Sequence, residues 1–202
     1  MEDSVPPDLV TLDTARPIWD QFFSVAPLVV IGTKEGEHYN LAPKHMAGPL
    51  GWDNYFVFVC TPRHETYHNI RKTGEFTVTY PRPTQVVVTS LTAEPREDLE
   101  EPKPTLAVLP TFRASEVDSL FLQDGYLFLE CRLDKILDGF SLNSIVVGRV
   151  VASHVHADAL RSAERDDQEL IYRSPLLAYL SPGRYATIKE SYSFPFPADF
   201  KR

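Results

Sequence analysis

The chain has 202 residues, of which 43% are hydrophobic and 24% charged, so it can form one domain with a sizeable core. Its net charge of −8 comes without any basic cluster, which disfavours binding to nucleic-acid phosphates. The acidic start lacks the apolar core of a signal peptide, and no apolar run approaches the roughly 20 residues that span a bilayer. We therefore expect a single domain over residues 1–202 with no nucleic-acid or membrane partner.

The two cysteines, Cys60 and Cys131, each lie in an apolar, strand-like run. This placement favours buried free thiols over a disulfide, and free thiols are typical of a reducing compartment. The expected location is the cytoplasm.

The first part of the chain predicts a helix followed by a β-hairpin. Residues 14–23 can form a short amphipathic helix with an apolar side of Ile18, Trp19, Phe22 and Phe23. Residues 28–33 are rich in β-branched side chains, residues 34–37 contain a turn, and residues 38–41 return as the partner strand.

The stretch that follows alternates strands with a short helix. Residues 40–46 are expected to be a polar loop leaving the hairpin. A continuous apolar run at 55–60 predicts a strand buried on both faces. A helix is expected to open at Thr61 and Pro62 and to run to residue 72, with Gly74 just past its end. Residues 75–80 alternate as in a half-buried strand.

The segment of residues 92–112, here called the proline-rich segment, has four prolines and an acidic run at 97–101. Such an excursion is more often a lid, an arm or a partner contact than core. Before it, residues 85–89 are either a short strand or the lead-in to a small helix.

The second half of the chain adds two long strands, at 126–133 and 144–151. Residues 157–169 are expected to be partly helical, residues 176–188 to hold a turn between aromatic residues, and the tail at 193–197 to pack in extended form. About seven strands, few helices and no βαβ alternation together predict a mainly β protein, an antiparallel barrel.

The start of the predicted helix is a candidate anion site. Thr61 suits the N-cap and Pro62 the first helical position. The free N–H groups there favour an anion, and Arg63 adds a forked donor. The alternative is that Arg63 forms an ion pair with a surface carboxylate such as Glu65.

Two further patterns leave alternatives open. His64 and His68 are four residues apart with Cys60 just before them, which permits a metal site; simple packing or capping roles are favoured, and we assign no metal ligand. Residues 40–43 read Asn-Leu-Ala-Pro, which either ends a strand in a turn or uses its backbone groups to bind a planar heterocycle.

Several motifs in order resemble the flavin reductase-like, FMN-binding split-barrel family. They are Ala-Pro-Leu-Val-Val-Ile at 26–31, Asn-Leu-Ala-Pro at 40–43, Arg-x-x-Thr-x-x-Asn-Ile from Arg63, Val-Val-Gly-Arg-Val at 146–150, and Leu-x-Tyr-x-x-x-Gly-x-Tyr from Leu177. The likeness covers about residues 24–188. It implies an antiparallel split β-barrel, a homodimer with FMN near the subunit interface, and NADH or NADPH as co-substrate; FAD is less favoured.

The resemblance also implies cofactor-binding residues. Those along the flavin ring would be Asn40, Ala42, Pro43, Lys44, His45 and Met46, and those at the phosphate and ribityl chain Thr61, Arg63, Thr66 and Asn69, with Tyr185 flanking the ring. No side chain is assigned as catalytic, because the cofactor carries the chemistry.

Three functions remain open on the sequence. The favoured one is hydride transfer from NAD(P)H to flavin. The second is a flavin-binding electron carrier or sensor, because Leu-Asn-Ser at 142–144 replaces the His that many family members carry before the Val-Val-Gly strand. The third is an interaction protein that has lost its ligand and uses the proline-rich segment as its partner surface.

Overall fold

The protein is described by a computed structural model over residues 6–95 and 101–198. Its main feature is a curled, seven-stranded antiparallel sheet in the order β3-β2-β6-β9-β10-β5-β4. A second sheet has the order β1-β11-β12, and β7 and β8 form a two-stranded ribbon. The strands of the described residues are β1 Ser24–Pro27, β2 Val29–Glu35, β3 His38–Lys44, β4 Ala47–Pro49, β5 Tyr55–Cys60, β6 Glu75–Tyr80, β7 Thr111–Arg113, β8 Leu120–Leu122, β9 Leu127–Phe140, β10 Asn143–Val155, β11 Leu176–Ser181 and β12 Arg184–Ile188.

Three short α-helices accompany the sheets: α1 Glu65–Thr73, α2 Val86–Leu91 and α3 Asp167–Arg173. Single 3₁₀ turns occur at Pro83–Gln85 and Pro104–Ala107. Within the described residues no helix is long and apolar enough to cross a membrane.

The core lies on the concave side of the curled sheet. Alternate residues of β5 point into it, so that Phe56 and Phe58 are buried and meet Phe76 of β6. The rings of Phe58 and Phe76 pack edge to face with centroids 5.5 Å apart, an arrangement that adds to the free energy of burial. This aromatic layer joins β5 and β6, which β9 and β10 separate in the sheet order, across the inside of the curl.

Helix α1 closes this core on one side. It buries Tyr67 and Ile70 in the cluster, and it ends where Gly74 takes a left-handed conformation, with φ 72°, and donates its N–H to the Ile70 carbonyl. The helix packs on β2 and β3. Its N-terminus therefore lies beside β3, which positions the candidate site.

Much of the sequence-based description is confirmed. The hairpin over β2 and β3, the strands at 55–60 and 75–80, the helix ending before Gly74, and the free, buried Cys60 and Cys131 are all present. Of the two alternatives for residues 85–89, the small helix is correct. The two long strands are longer than predicted, which reflects their pairing with each other along most of their length.

The helix predicted at 14–23 is wrong. These residues form turns, and Trp19 and Phe23 remain 62% and 64% exposed. An isolated helix of ten residues is marginal in water, and here no packing partner buries its apolar side.

The loop predicted at 40–46 is also wrong for its first five residues, which belong to β3. The strand tolerates Pro43 because β3 is an edge strand, where a missing N–H leaves no neighbour unpaired. Likewise α1 starts at Glu65, with His64 at the N-cap position, and not at Thr61 and Pro62.

The burial predicted for β5 and β6 is reversed. Only alternate residues of β5 are buried, whereas β6 is buried from Phe76 to Thr79. The reason is β8, which covers the second face of β6: Thr77 Oγ1 donates to the Leu120 carbonyl, and Thr79 Oγ1 accepts the Leu122 N–H at 3.1 Å. The alternation in the sequence predicts that these threonine hydroxyls face solvent, but the β7–β8 ribbon supplies their hydrogen-bond partners.

The C-terminal region follows the prediction in outline. The residues at 176–188 form the β11–β12 hairpin. The segment at 157–169 is helical only in its last three residues, which begin α3. The tail at 193–197 has no regular structure, and the neighbouring Ser191 N–H donates to Gln168 of α3 at 2.6 Å.

Gly32 of β2 provides a test of this packing. A Cβ at this position would collide with the Leu120 carbonyl and with Thr77 Oγ1. We expect Gly32→Ala to lower the free energy of unfolding by about 3 kcal/mol, as overpacking against a backbone atom does. In Gly48→Ala, where no atom lies within 4 Å, the change should stay within about 0.5 kcal/mol. Denaturant unfolding measures both, and equal effects would contradict the packing.

Candidate functional site

The principal candidate site is a cavity of about 490 Å³ between β3, the start of α1 and the proline-rich segment. Its lining combines small apolar side chains, neutral polar side chains, cations and two acids. Its lining residues are Asn40, Ala42, Pro43, Lys44, Arg63, His64, Glu65, Thr66, Ala93, Glu94, Pro95 and Lys103.

A second cavity of about 250 Å³ adjoins the first. The two cavities share Pro43, Lys44 and His64 in their linings. The second one adds residues from the end of β3, from β5 and from the start of β10: His45, Met46, Val59, Cys60, Thr61 and Asn143. Together the cavities form one site, with a cationic end in the first cavity and a less charged end in the second.

The cationic end combines side chains with the N-terminus of α1. Lys44 Nζ lies 3.3 Å from His64 Nδ1, and Arg63 directly precedes the N-cap residue. No side chain caps the start of the helix. The Tyr67 N–H donates to the His64 carbonyl at 2.9 Å, whereas the N–H groups of Glu65 and Thr66, two residues that line the cavity, have no acceptor among the described residues. Free N–H groups, the helix dipole and two cations together suit an anion.

Burial, and after it nearby cations, lowers the pKa values of two neighbouring histidines. Burial, followed by the charges of Lys44 and Lys103, lowers the pKa of His64 below its ordinary value. Burial and then Lys44 lower the pKa of His45. Burial by itself lowers the pKa of a histidine and the cations lower it further, so both side chains favour their neutral form.

Asn40 contributes an acceptor that lacks a donor. Its side chain is only 4% exposed, and its Oδ1 atom has no hydrogen-bond partner within the described protein. A buried acceptor without a donor costs about 1–3 kcal/mol, so this oxygen suits a ligand that brings an N–H or O–H group into the cavity.

The proline-rich segment is part of the site. Lys103 Nζ donates to the Leu41 carbonyl of β3 at 2.9 Å and to the Thr92 carbonyl at 2.8 Å. These bonds hold the segment against the strand that lines the cavity. Of its acidic run, residues 97–100 lie outside the described residues.

The structure distributes the sequence-predicted residues over several places. Asn69 is not in the lining, and its amide donates to Thr33 Oγ1 at 3.1 Å; Tyr185 lies on β12, 54% exposed and outside both cavity linings. The first cavity contains Asn40, Ala42, Pro43, Lys44, Arg63 and Thr66, and the second contains His45, Met46 and Thr61 as well as Pro43 and Lys44.

Sequence reasoning missed four neighbours of the site as ligand-binding candidates: His64, Glu94, Lys103 and Tyr179. The Tyr179 ring lies 4.6 Å from the His45 ring. Glu94 and Lys103 gave no local signal, because the contact of Lys103 with Leu41 spans 62 residues. For His64 the sequence favoured a packing or capping role over a metal ligand, and the described residues contain no group of three side chains that could hold a metal ion.

Comparison with known proteins identifies the class. Residues 24–188 match the family model described as flavin reductase like domain, and the chain belongs to that family. The curled sheet is the split barrel of this family. No match was found among curated proteins.

Solved structures share the fold at low sequence identity. Flavoredoxin from Methanosarcina acetivorans is 18% identical, with a TM-score of 0.73 over 93% of this chain and 95% of that one. A flavin reductase with a split barrel domain from Shewanella frigidimarina is 19% identical, with a TM-score of 0.73 over 86% and 87%. The FMN-binding protein from Thermus thermophilus is 18% identical, with a TM-score of 0.72 over 92% and 98%.

The charge coupling between Lys44 and His64 is testable without any ligand. In Lys44→Met, we expect the pKa of His64, followed by NMR of the imidazole, to rise toward its ordinary value because a nearby cation is lost. A depressed folded-state pKa means that stability is lost as pH falls through the unfolded value of about 6.5, and this loss should shrink in the variant. Lys72→Met, at the other end of α1, should leave the pKa of His64 unchanged. An unshifted His64 in Lys44→Met would contradict the coupling.

Proposed function

We propose that the protein binds FMN in the two adjoining cavities and transfers a hydride from NADH or NADPH to the flavin. The observation that carries this proposal is the cationic N-terminus of α1 in a cavity that also holds the unpaired Asn40 oxygen. Membership of the flavin reductase like family supports flavin as the ligand class.

The residues present fit the polar parts of FMN. The first cavity offers the helix N–H groups, Lys44 and Arg63 for a phosphate dianion, with Thr66 beside them. The Asn40 oxygen can accept a hydrogen bond from a hydroxyl or from a ring N–H. We propose Thr61 and Asn69 as further contributors, Asn69 by holding α1 on β2 through Thr33.

The second cavity is the proposed place of the ring. Its lining by Pro43, Met46 and Val59 offers apolar surface, while Lys44 and His45 offer positive charge or a hydrogen bond at one edge. When bound, FMN accepts the hydride and supplies the redox chemistry. Lys44 and His45 then favour the negative charge that reduction adds, and Tyr185 remains a proposed flanking residue.

We also propose a cytoplasmic homodimer with the flavin near the subunit interface. Large apolar side chains stand exposed next to the second cavity: Met46 is 53% and Leu142 57% exposed. The second cavity opens beside both residues, so a partner subunit seated here would cover the proposed ring site. The two free, buried cysteines support a reducing compartment.

The second candidate function is a flavin-binding electron carrier without its own nicotinamide site. It is favoured by Asn143, which lines the second cavity close to the position where the family resemblance leads us to expect a histidine. A neutral amide provides neither the charge nor the proton exchange of an imidazole.

One experiment separates these functions. We expect the purified protein to show flavin absorption after addition of FMN, and this absorption to bleach under anaerobic conditions with NADH or NADPH. Bound flavin that bleaches with dithionite but with neither nucleotide would favour the carrier. A protein that never binds FMN would contradict both functions and leave the interaction protein as the explanation.

Arg63 provides a test of the phosphate end. In Arg63→Ala, we expect the dissociation constant of FMN to rise about ten- to hundredfold, because a charged hydrogen bond to phosphate is lost. Riboflavin, which lacks the phosphate, should be affected less than about threefold. Arg173→Ala on α3 is the matched control and should change neither constant. Equal weakening of FMN and riboflavin would argue against a phosphate contact of Arg63.

A further inference from the structure

The end of the β9–β10 hairpin lies at the second cavity. Asn143, the first residue of β10, lines that cavity. Its neighbour Ser144 is paired with Cys60 of β5, which lines the cavity too. The wall of the proposed ring site is therefore built in part by the residues with which β10 begins, and its shape depends on how the hairpin ends.

A β-bulge interrupts the pairing of the two strands at this point. The register shifts between Asn143 and Ile145 of β10. As a result two residues of β9, Asp138 and Gly139, stand opposite Ser144 alone. Gly139 has φ 102°, a backbone conformation that residues with a Cβ rarely adopt. A bulge bends its strand and redirects the neighbouring side chains, and this one does so beside the proposed ring site.

One carboxylate holds the bulge. Asp138 Oδ1 accepts hydrogen bonds from Ser144 Oγ at 2.6 Å and from the Tyr67 hydroxyl of α1 at 2.9 Å. Both donors belong to buried residues, whereas Asp138 itself is exposed. The bond from Ser144 and then the bond from Tyr67 lower the pKa of the Asp138 carboxyl, so the group is ionised near neutral pH and both bonds are charge-assisted.

The same carboxylate connects the two ends of the site. Tyr67 directly follows Thr66, which lines the first cavity, and its ring packs in the core. Arg71 Nη1 donates to the Tyr67 hydroxyl at 3.2 Å, which leaves the hydroxyl proton for Asp138. The helix that starts at the proposed phosphate end and the strand that begins at the proposed ring end are therefore joined at Asp138.

We propose that Asp138 is a positioning residue of the flavin site, which fixes the start of β10, and with it Asn143, as a wall of the ring cavity. Asp138 lines neither cavity and acts through Ser144 and Tyr67. Without it, Ser144 and Tyr67 lose the acceptor of their hydroxyl groups, and the end of the hairpin moves away from the ring and admits water. This inference rests on the proposed function, because it presupposes flavin binding in these cavities.

The flavin-free protein tests whether Asp138 holds the end of the hairpin. In Asp138→Ala, we expect amide hydrogen exchange of residues 137–145 to become about tenfold faster, because the bonds across the bulge and to α1 are lost. Asp138→Asn keeps an oxygen that both hydroxyls can donate to, so exchange should stay within about threefold of the unchanged protein. Asp134→Ala removes a carboxylate of the same strand that pairs with Lys135 and lines neither cavity, and it should leave this exchange unaltered.

The flavin-bound protein tests the consequence for the ring. Quenching of the bound flavin's fluorescence by acrylamide, a neutral probe, measures how far the ring is open to solvent. We expect the quenching constant to rise about two- to threefold in Asp138→Ala and to return to the original value in Asp138→Asn. The ratio of the dissociation constants of riboflavin and FMN, which reports the phosphate end, should stay within about twofold in both variants.

Tyr67→Phe gives an independent measurement. It keeps the ring in the core and removes only the bond from α1 to Asp138, so the quenching constant should rise in the same direction by a smaller factor. Circular dichroism checks that each variant remains folded.

The outcomes separate this inference from the function on which it rests. Unaltered amide exchange in Asp138→Ala would contradict the hold on the hairpin. A quenching constant unaltered in both Asp138→Ala and Tyr67→Phe would overturn the positioning role, even with faster exchange, and would leave flavin binding intact. A protein that binds neither FMN nor riboflavin would overturn the proposed function itself.

Discussion

The site depends on the packing of α1 against β2 and β3. The buried amide of Asn69 donates to Thr33 Oγ1 of β2 at 3.1 Å, while Ile70 and Tyr67 enter the core. A buried hydrogen bond of this kind contributes about 1 kcal/mol, but removing one partner costs more because the other stays unsatisfied. The bond therefore fixes the register of the helix on the sheet. The helix start, with Arg63 before it, is in this way directed to the end of β3 that carries Lys44.

The cations of the site raise the free energy of protonating the histidines beside them. Burial is the larger cause of the lowered pKa values of His45 and His64, and repulsion by nearby cations lowers them further. Both side chains are therefore available as neutral donors and acceptors near pH 7. An anion would relieve the repulsion, so binding and proton uptake by His64 are coupled.

The elements that could be predicted from the sequence are those with local signals. Gly74 predicts the end of α1, β-branched runs predict β2 and β6, and the order of the motifs indicates the family. The errors arose where tertiary contacts decide. Pro43 looked like a loop residue, but an edge strand accepts it, and the threonines of β6 looked exposed, but β8 covers them.

The candidate site likewise contains residues that the sequence could predict and residues that it could not. Lys44 and Arg63 line the first cavity, and their types and motifs singled them out. Glu94 and Lys103 belong to a segment with no regular pattern, and their position depends on hydrogen bonds across the chain. Sequence patterns report residues that share one element, and a cavity border made from a distant segment leaves no periodicity to detect.

The C-terminal hairpin connects the smaller sheet to the second cavity through Tyr179, whose ring contacts His45. Tyr179 and Tyr185 are directly opposite each other in β11 and β12, so their side chains share one face of the hairpin. Tyr179 is the nearer to the site: its ring lies 4.6 Å from His45, and its hydroxyl accepts the Gly183 N–H at 2.9 Å. The Tyr179 ring, held through its hydroxyl and inclined by 33° to the His45 imidazole, therefore restricts the orientation of that imidazole.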